Sequence, residues 1–380
     1  MNKIPPVDLT RQYKRISEEA DLAVLEILNS GSYIGGKAVA KFEQQFAEYT
    51  GVSECVSCNS GTDALYLALR ALDIGAGDEV ITSPFTFFAT AEVISRVGAI
   101  PVFVDVDLNT FNFNPALIEQ AITPKTKAII PVHLFGQPVD MTAIMVIAQK
   151  HNLTVIEDCA QATGAAWDNQ RVGSIGHVGC FSFFPTKNLG ACGDGGAVTT
   201  NDVAIAKKMR MLKEHGSPER YRHDSIGINS RIDAVQAVIL TIKLRHLDFW
   251  NQQRQQAATY YQELLGAVES IKLPQAIAGG NSVWNQYTVC ITEINGSTKA
   301  KTRRDFIRER LLEKEIISMI YYPIPLHLQP VYEELGYKKG QLPVVEQAAR
   351  EVLSLPMFPG ISEAEQEQVA STLKDCLTSV

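Results

Sequence analysis

The chain has 380 residues, of which 46% are hydrophobic and 20% are charged, a composition typical of folded globular proteins and not of disordered or fibrous ones. At this length we expect two or three packing units, or one large α/β unit with a smaller companion. Lysine and arginine number 35 against 42 aspartates and glutamates, so the net charge of -7 excludes a strongly basic surface. We therefore expect no nucleic-acid partner.

The first residues of the chain carry no sign of export. They lack the apolar stretch of a secretory signal, and no apolar run approaches the roughly 18 residues that a transmembrane helix needs. We expect a cytoplasmic protein that does not bind membranes. Seven cysteines, an odd number, favour reduced thiols over a disulfide framework. Because Cys55 and Cys58 form the only CxxC pair, we predict two buried thiols and no metal site.

Between about residues 51 and 200, short β-rich runs alternate with helical patterns. We predict strands at ECVSC, DEVITS, IPVFVDV, AIIPVHL, LTVIED, CFSFF and GAVTT, and helices at TDALYLALRAL, FFATAEVISRVG, LIEQAI and MTAIMVIAQKH. This alternation predicts a mostly parallel sheet covered by helices. In such sheets ligands bind beyond the carboxyl ends of the strands, where the sequence places Asn59, Ser83, His133, Asp158 and Lys187.

Beyond Asp233 the pattern is helical over AVQAVILTIKLRHLDFWNQQRQQAATYYQELL, which we predict as one long helix that links two domains. A weaker strand (SVWNQYTVCIT), a helix (KTRRDFIRERLLEKE), the loop YYPIPLHLQP and a closing amphipathic helix follow. The polar run EINGSTKAKTRR is the best candidate for an exposed loop. We therefore predict a large domain over residues 1–245, including the N-terminal segment, and a small C-terminal α/β domain over residues 246–380.

Three polar segments carry the candidate chemistry. The first, Asn59-Ser60-Gly61-Thr62, precedes a predicted helix. Free N–H groups at a helix start bind phosphate well, but taken alone this segment is better explained by Ser60 or Thr62 serving as a plain helix cap. The second segment, VIED, ends in Asp158, whose carboxylate would hold a cation, a metal or a protonated ring nitrogen, or merely cap a helix.

The third segment is FSFFPTKNLG, followed by GDGG, which places Lys187 between an aromatic strand and a glycine-rich turn. A lysine that loses water there would lose its proton more easily and become a nucleophilic amine able to form a Schiff base. GDGG is not a dinucleotide-binding fingerprint, because no GxGxxG follows a strand and opens a helix here. A nicotinamide-dependent oxidoreductase is thereby disfavoured.

Together the three segments match the needs of pyridoxal phosphate, which requires a lysine for its aldehyde, a carboxylate against its ring nitrogen and a phosphate cup. Their order resembles that of the fold type I transferases. The amino-acid sequences of seven segments resemble the DegT/DnrJ/StrS family of nucleotide-sugar aminotransferases, and the resemblance runs from about Pro6 to Pro359. These segments are SGSYIGGKAVAKFE, NSGTDALYLAL, SPFTFFATA, EDCAQATGA, FSFFPTKNLGACGDGGA, GINSRIDAVQA and YYPIPLHLQP.

The resemblance implies an α/β fold in which a large domain with a mostly parallel sheet is joined to a smaller C-terminal α/β domain. It also implies roles for the residues that contact the cofactor. Lys187 would bond to the aldehyde and carry the proton, and Asp158 would pair with the ring nitrogen. The remaining cofactor contacts would be Gln161 at the phenolic oxygen, Phe87 stacked on the ring unless it packs in the core, and Gly61, Thr62 and Ser182 at the phosphate.

The resemblance further implies a homodimer with shared active sites. Asn229 would reach the phosphate in the partner's site and Arg231 would face the substrate, unless Arg231 forms a structural salt bridge at the subunit interface. The sugar pocket would be lined by Tyr33, Tyr321, Tyr322 and His327. The family usually has proline at the position of Lys37, which leaves the local loop shape open.

The expected reaction moves an amino group from glutamate to a keto group of a nucleotide-linked sugar. KNLGACGDGG resembles the branch that aminates C3, and Arg231 favours a UDP-linked hexuronate, although nothing separates a UDP from a dTDP carrier. Sugar dehydratases similar to this family have another residue in place of the Schiff-base lysine. This chain has Lys187, which disfavours a dehydratase. A regulatory protein that binds the cofactor or a sugar nucleotide without catalysis remains an alternative.

Overall fold

The computed structural model describes residues 3–292 and 302–378. Residues 293–301 of the predicted loop EINGSTKAKTRR lie outside the described residues. The helices are α1 (Leu9–Ser30), α2 (Gly36–Thr50), α3 (Gly61–Ala71), α4 (Ala89–Arg96), α5 (Met141–His151), α6 (Val203–Leu212), α7 (Ala234–Leu244), α8 (Leu247–Leu265), α9 (Arg303–Glu313), α10 (Pro343–Glu351) and α11 (Glu363–Thr378).

The strands alternate with these helices in the first half of the chain and are fewer in the second. They are β1 (Glu54–Cys58), β2 (Glu79–Thr82), β3 (Ile100–Phe103), β4 (Thr126–Ile130), β5 (Thr154–Asp158), β6 (Ala166–Trp167), β7 (Gln170–Arg171), β8 (Val178–Ser182), β9 (Gly196–Thr200), β10 (Ile271–Lys272), β11 (Gly280–Asn281), β12 (Tyr287–Ile291) and β13 (Val352–Leu355).

A seven-stranded sheet of order β1-β9-β8-β5-β4-β2-β3 forms the centre of the molecule. Strands β3, β2, β4, β5 and β8 run parallel, whereas β9 is antiparallel to both of its neighbours. The predicted mixed α/β fold with a mostly parallel sheet is confirmed. Because the parallel strands end at one edge, the polar residues that follow β2, β5 and β8 meet there.

Burial explains why these runs form strands. All five residues of β8 and of β9 are buried, as expected for a sheet covered on both faces. Helix α3 buries Ala64, Leu67, Ala68 and Leu69 and packs across β8 and β9. Cys55 and Cys58 lie buried in β1 as free thiols, as predicted, and loss of water raises the pKa of both.

The second sheet, β10-β12-β13, packs with α8, α9 and α11 around a separate apolar core. The N-terminal segment contributes to this core, because Ile4 pairs with Ile316 and is 1% exposed. Arg11 also forms two hydrogen bonds, of 2.9 and 2.6 Å, with the Glu365 carboxylate on α11. The first residues of the chain therefore pack against its C-terminal unit, while the predicted boundary at 245/246 falls between α7 and α8.

Two element predictions were wrong. The expected long helix is two helices that break at Arg245 and His246, where the His246 N–H bonds to the Lys243 carbonyl at 3.0 Å. Each helix buries its own partner surface, α7 against α1 and α2 and α8 against α11. The expected helix LIEQAI is instead two short 3₁₀ turns. Among the described helices, none has the length and apolar character needed to span a bilayer.

Candidate active site

A cavity of about 600 Å³ opens at the carboxyl edge of the parallel strands. Nine of the residues predicted from the sequence line it, and they come from five separate segments of the chain: Gly61, Thr62, Phe87, Asp158, Gln161, Ser182, Lys187, Tyr321 and Tyr322. Its volume is in the range of cofactor and small-molecule sites. The chain therefore folds to bring both predicted catalytic residues, Asp158 and Lys187, to one cleft.

One end of the cavity is the first turn of α3. The Ser60 hydroxyl caps this helix by accepting from the Asp63 N–H at 3.1 Å, so the capping function proposed for Ser60 is real. The N–H groups of Gly61 and Thr62 have no intrahelical acceptor, because they stand in the first turn. Ser182, at the end of β8, packs directly on Gly61. A helix N-terminus and a hydroxyl thus face one point, a suitable arrangement for an anion.

The carboxylate of Asp158 ends β5 and is almost fully buried. Its Oδ2 accepts from the Thr90 hydroxyl at 2.8 Å, and its Oδ1 accepts from the Ala160 N–H at 3.1 Å. Burial raises the pKa of Asp158, while these hydrogen bonds and the nearby Lys187 oppose that rise. A buried carboxylate in this setting is stabilised by a cation or a protonated ring nitrogen placed in the cavity.

Below Asp158, a buried His133–Glu157 pair fixes the strand ends. His133 Nε2 lies 3.0 Å from Glu157 Oε2, and its Nδ1 accepts from the Val139 N–H at 3.1 Å. Glu157 also accepts three backbone N–H groups, from Gly173 and from residues 175 and 176. Cys159 lies close enough to make this trio resemble a metal site, but the His and Glu are already engaged by these protein groups. We interpret the trio as a structural cluster.

Lys187 lies in the loop between β8 and β9, and its side chain is partly exposed to the cavity. Loss of water lowers the pKa of its amine to about 8, and the charge of Asp158 acts in the opposite direction. About a tenth of Lys187 is therefore neutral at pH 7 and about half at pH 8, and the neutral amine is the state that attacks an aldehyde.

Gln161 and Phe87 form the walls beside these two groups. The Gln161 oxygen accepts from the Phe135 N–H at 2.8 Å and its nitrogen donates to the Tyr322 hydroxyl at 3.1 Å, so its orientation is fixed. Phe87 is 58% exposed, whereas its neighbour Phe85 is fully buried. Phe87 therefore does not pack in the core, and it presents an aromatic ring to the cleft.

Four predicted substrate or partner residues lie outside the cavity lining. Tyr33 and Asn229 are exposed, and Arg231 pairs with Glu214 of its own chain at 2.9 Å. His327 is 1% exposed and lies 3.3 Å from Glu346. Burial lowers the pKa of His327. The roles of these four residues in binding remain predictions.

Several residues that line the cavity were not singled out from the sequence. They are Thr86, Thr90, Phe184, Asp194 and Gln286. Thr86 and Thr90 stand in the quoted segment SPFTFFATA at a helical spacing of four, a signal that was available, and their hydroxyls are 2.9 Å apart. Gln286 stands in the predicted strand SVWNQYTVCIT, outside the seven segments that carry the family resemblance, and its Oε1 is buried without a partner among the described residues.

The arrangement fits pyridoxal phosphate on three independent observations. A helix N-terminus with Ser182 offers an anion site, and the buried Asp158 lacks a full counter-charge. An amine of lowered pKa stands in the same cleft. Gly61, Thr62 and Ser182 would hold the phosphate, Asp158 the ring nitrogen and Lys187 the aldehyde carbon.

Comparison with known proteins gives the same result. The DegT/DnrJ/EryC1/StrS aminotransferase family matches residues 14–374. A Geobacillus stearothermophilus protein named pleiotropic regulatory protein and an Acidithiobacillus ferrooxidans UDP-N-acetyl-3-dehydro-α-D-glucosamine 3-aminotransferase are each 48% identical to this chain, over 98% of both sequences.

The crystal structure of S. venezuelae DesV in complex with a ketimine intermediate superposes with a TM-score of 0.95 at 41% identity and covers 100% of both chains. Fold, enzyme class and cofactor dependence agree with the predictions from the motifs. The chain belongs to the DegT/DnrJ/EryC1/StrS family of aminotransferases.

Proposed function

We propose that this protein transfers an amino group from glutamate to the C3 keto group of a nucleotide-linked sugar, as a step in amino-sugar biosynthesis. The observation that carries the proposal is that Lys187 and Asp158, from two motifs, line one cavity with a phosphate-type helix start at Gly61. Aminotransfer requires an amine that moves protons, a carboxylate and an anion anchor, and all three are present.

Pyridoxal phosphate, when bound, supplies an aldehyde that exchanges amines and a ring that withdraws electrons. Lys187 Nζ then takes a proton from the donor's carbon and returns one to the sugar carbon, which an amine with a pKa of about 8 can do in both directions. The Asp158 carboxylate would keep a proton at the ring nitrogen, and Thr90 holds Asp158 in place. Gly61 N–H, Thr62 and Ser182 would hold the phosphate, and Gln161, whose orientation is fixed by Phe135 and Tyr322, would hydrogen-bond the phenolic oxygen.

Amination at C3 is supported by the segment KNLGACGDGG and by the A. ferrooxidans relative, whose name specifies a 3-aminotransferase acting on a UDP-linked N-acetylglucosamine derivative. That name also favours a UDP carrier. The preference for a hexuronate is not strengthened, because Arg231 is engaged with Glu214 in its own chain. We therefore propose a UDP-linked 3-keto hexose as the first substrate to test.

We also propose a homodimer with shared active sites. Asn229, Arg231 and Tyr33 lie outside the cavity of their own chain. Tyr33 packs beside the segment that follows Arg231, because the Ala234 N–H bonds to the Tyr33 carbonyl at 2.8 Å. Helix α1 exposes Leu22, Leu25 and Leu28, all 48% or more accessible. These leucines follow a helical spacing on one face, which a second copy would cover.

A regulatory role remains a second candidate, since the G. stearothermophilus relative is named for regulation. A purely regulatory protein would not need a desolvated lysine beside a buried carboxylate. The full set of catalytic groups around Lys187 therefore favours an enzyme.

The deciding experiment incubates the purified protein with glutamate, pyridoxal phosphate and a panel of 3-keto and 4-keto UDP and dTDP sugars, and detects amino sugars by mass spectrometry. We expect amination of a UDP 3-keto sugar by the unaltered protein and none by Lys187→Ala. Tyr13→Phe, which changes an exposed hydroxyl on α1, is the matched control and should retain activity. Turnover by Lys187→Ala, or no turnover with any sugar by the native chain, would refute the proposal.

A further inference from the structure

Asn188 follows Lys187 directly and is 2% exposed, although its side chain is polar. Its amide nitrogen donates to Asn251 Oδ1 at 2.7 Å and to the Val283 carbonyl at 2.9 Å. Its amide oxygen accepts from Asn285 Nδ2 at 2.8 Å. Asn188, Asn251 and Asn285, here called the asparagine relay, thus form a continuous buried chain of hydrogen bonds.

Backbone carbonyls fix the direction of the relay. A carbonyl can only accept, so the Asn188 nitrogen must face Val283, and the Asn188 oxygen must then face Asn285. Asn251 is fixed in the same way, since its nitrogen donates to the Thr163 carbonyl at 3.1 Å. The three amides therefore have one arrangement that satisfies these bonds.

The relay joins the parts of the chain that form the active site. Thr163 follows Gln161 by two residues, so Asn251 contacts the segment that carries Asp158 and Gln161. The fit is close, because a Cβ at Gly164 would lie 2.6 Å from Asn251 Nδ2. Asn285 precedes Gln286, which lines the cavity. The side-chain nitrogen of Asn285 also lies 3.4 Å from the Thr186 carbonyl oxygen. Bonds to Thr186 and Asn188 thus hold the chain on both sides of Lys187.

We propose that Asn188, held by Asn251 and Asn285, is a positioning residue that sets where the Lys187 amine lies relative to Asp158. The loop from residue 183 to residue 195 contains no helix or strand, and only a few backbone hydrogen bonds hold it, such as that from the Ala191 N–H to the Phe183 carbonyl at 2.7 Å. Side-chain hydrogen bonds therefore help to fix its conformation. A long lysine side chain on an unanchored loop samples many positions, and misplacement of a reacting group by about 1 Å reduces catalysis by on the order of a hundredfold. The inference rests on the proposed role of Lys187 as the reacting amine.

The test compares Asn188→Ala, Asn188→Asp and Asn285→Ala with Gln366→Ala. Gln366, on helix α11, is a matched control. It is also 2% exposed, and its amide nitrogen donates to the backbone carbonyl of Ala257 at 2.7 Å. Asn188→Asp keeps the shape of the side chain but places oxygens against the Asn251 oxygen and the Val283 carbonyl. Asn285→Ala leaves two of the Asn188 hydrogen bonds in place, and it decides the matter if Asn188→Ala does not fold.

The first measurement uses the cofactor-free protein. Cyanate carbamylates neutral amines, so the pH dependence of Lys187 labelling, followed by peptide mass spectrometry, reports the state of this amine. We expect a midpoint near pH 8 in the unaltered chain. In the relay variants we expect the loosened loop to let water reach Lys187 and to raise the pKa of its amine by about one unit. At pH 8 such a rise lowers the neutral fraction of the amine, and with it the labelling, about fivefold.

The second measurement uses the holoenzyme. We expect kcat to fall about 10- to 100-fold in the relay variants, with little change in KM for the sugar. Gln366→Ala should lose thermal stability but keep its labelling profile and kcat. If the relay variants lose only stability, as this control does, the positioning role is wrong. Such a result would leave the proposed function standing, since that is refuted by turnover of Lys187→Ala or by the lack of any turnover in the unaltered chain.

Discussion

Gly61 and Ser182 approach each other so closely that a Cβ added at residue 61 would lie 2.6 Å from the Ser182 Cβ. The two residues come from different motifs, one at the start of α3 and one at the end of β8. Real Cβ atoms do not approach this closely, so position 61 requires glycine for space and not for an unusual backbone angle. The contact fixes the spacing of the anion site.

We expect Gly61→Ala to weaken cofactor binding. The added methyl group must displace Ser182 or the helix start, a type of overpacking that costs about 1–3 kcal/mol. The dissociation constant for pyridoxal phosphate should therefore rise about tenfold or more, as measured by absorbance titration. Gly75→Ala is the control, because a Cβ there meets only the Val97 carbonyl at 3.5 Å and should leave binding unchanged. Equal affinities for all three proteins would contradict this account.

Thr90→Val should slow catalysis although valine has nearly the same shape. The Thr90 hydroxyl donates to Asp158 Oδ2 and lowers the pKa of that carboxyl, so its loss raises the pKa further. A hydrogen bond to a charged group is worth about 1.5–3 kcal/mol, which predicts a fall of about tenfold or more in kcat. The acid limb of the kcat/KM profile should also move to higher pH.

Thr163→Val is the matched control for that experiment. Thr163 is 1% exposed, and its hydroxyl has no hydrogen-bond partner among the described residues. Replacing an unsatisfied buried hydroxyl with a methyl group should leave the rate unchanged and raise stability slightly. If both valine variants behave alike, Thr90 does not act through Asp158.

Lys187→Met should stabilise the cofactor-free protein at pH 7. The pKa of Lys187 is about 8 in the folded chain and 10.5 for a free lysine, so between these pH values the unfolded chain binds the extra proton. The stability of the unaltered protein therefore rises with pH over this window. The cost of burying the charged Lys187 amine is fully present below pH 8. Thermal unfolding at pH 7 and pH 10 should show the advantage of the methionine variant shrinking at the higher pH. An advantage that does not depend on pH would show that charge is not its cause.

Arg11→Gln should destabilise the contact between the N-terminal segment and α11. The bidentate hydrogen bond from Arg11 lowers the pKa of Glu365 from 4.5 to about 2. The pair's contribution is complete above the unfolded pKa and is lost as pH falls toward the folded value. Because both side chains are partly exposed, we expect a loss of about 1 kcal/mol in urea unfolding at pH 7 and a smaller loss at pH 3.

Arg245→Gln is the control for this pair. Arg245 and Glu19 form an ion pair whose side chains are both 53% exposed, and surface pairs of this kind contribute little. The control should change stability by a few tenths of a kcal/mol at most. A loss equal to that of Arg11→Gln would show that bidentate geometry adds nothing at Arg11.

The residues proposed to contact the cofactor could be located from the sequence because they stand at or after the ends of strands in recognisable segments. Lys187 and Asp158 stand at the ends of apolar runs, where the chemistry of a parallel sheet collects. Gln286 and the asparagine relay could not be found in this way. Their importance depends on contacts between distant segments, such as Asn188 with Asn285, and these contacts leave no local pattern.

The errors in the element predictions have similar causes. The apolar pattern of α7 continues into α8 without glycine or proline, so the break at His246 has no local signal; it arises from packing against different neighbours. The antiparallel direction of β9 could not be predicted from its composition either, because a strand buried on both faces is apolar whichever way it runs. The absence of a helix between β8 and β9 was the one available indication.

The pairing of Ile4 with Ile316 has a consequence for how the protein is made and handled. The C-terminal apolar core is complete only when the segment around Ile4 has paired with the segment around Ile316, which is synthesised much later. Removal of the segment around Ile4 would expose Ile316 and its neighbours to water. The C-terminal apolar core would therefore lose stability, although it lies far along the sequence from the removed residues.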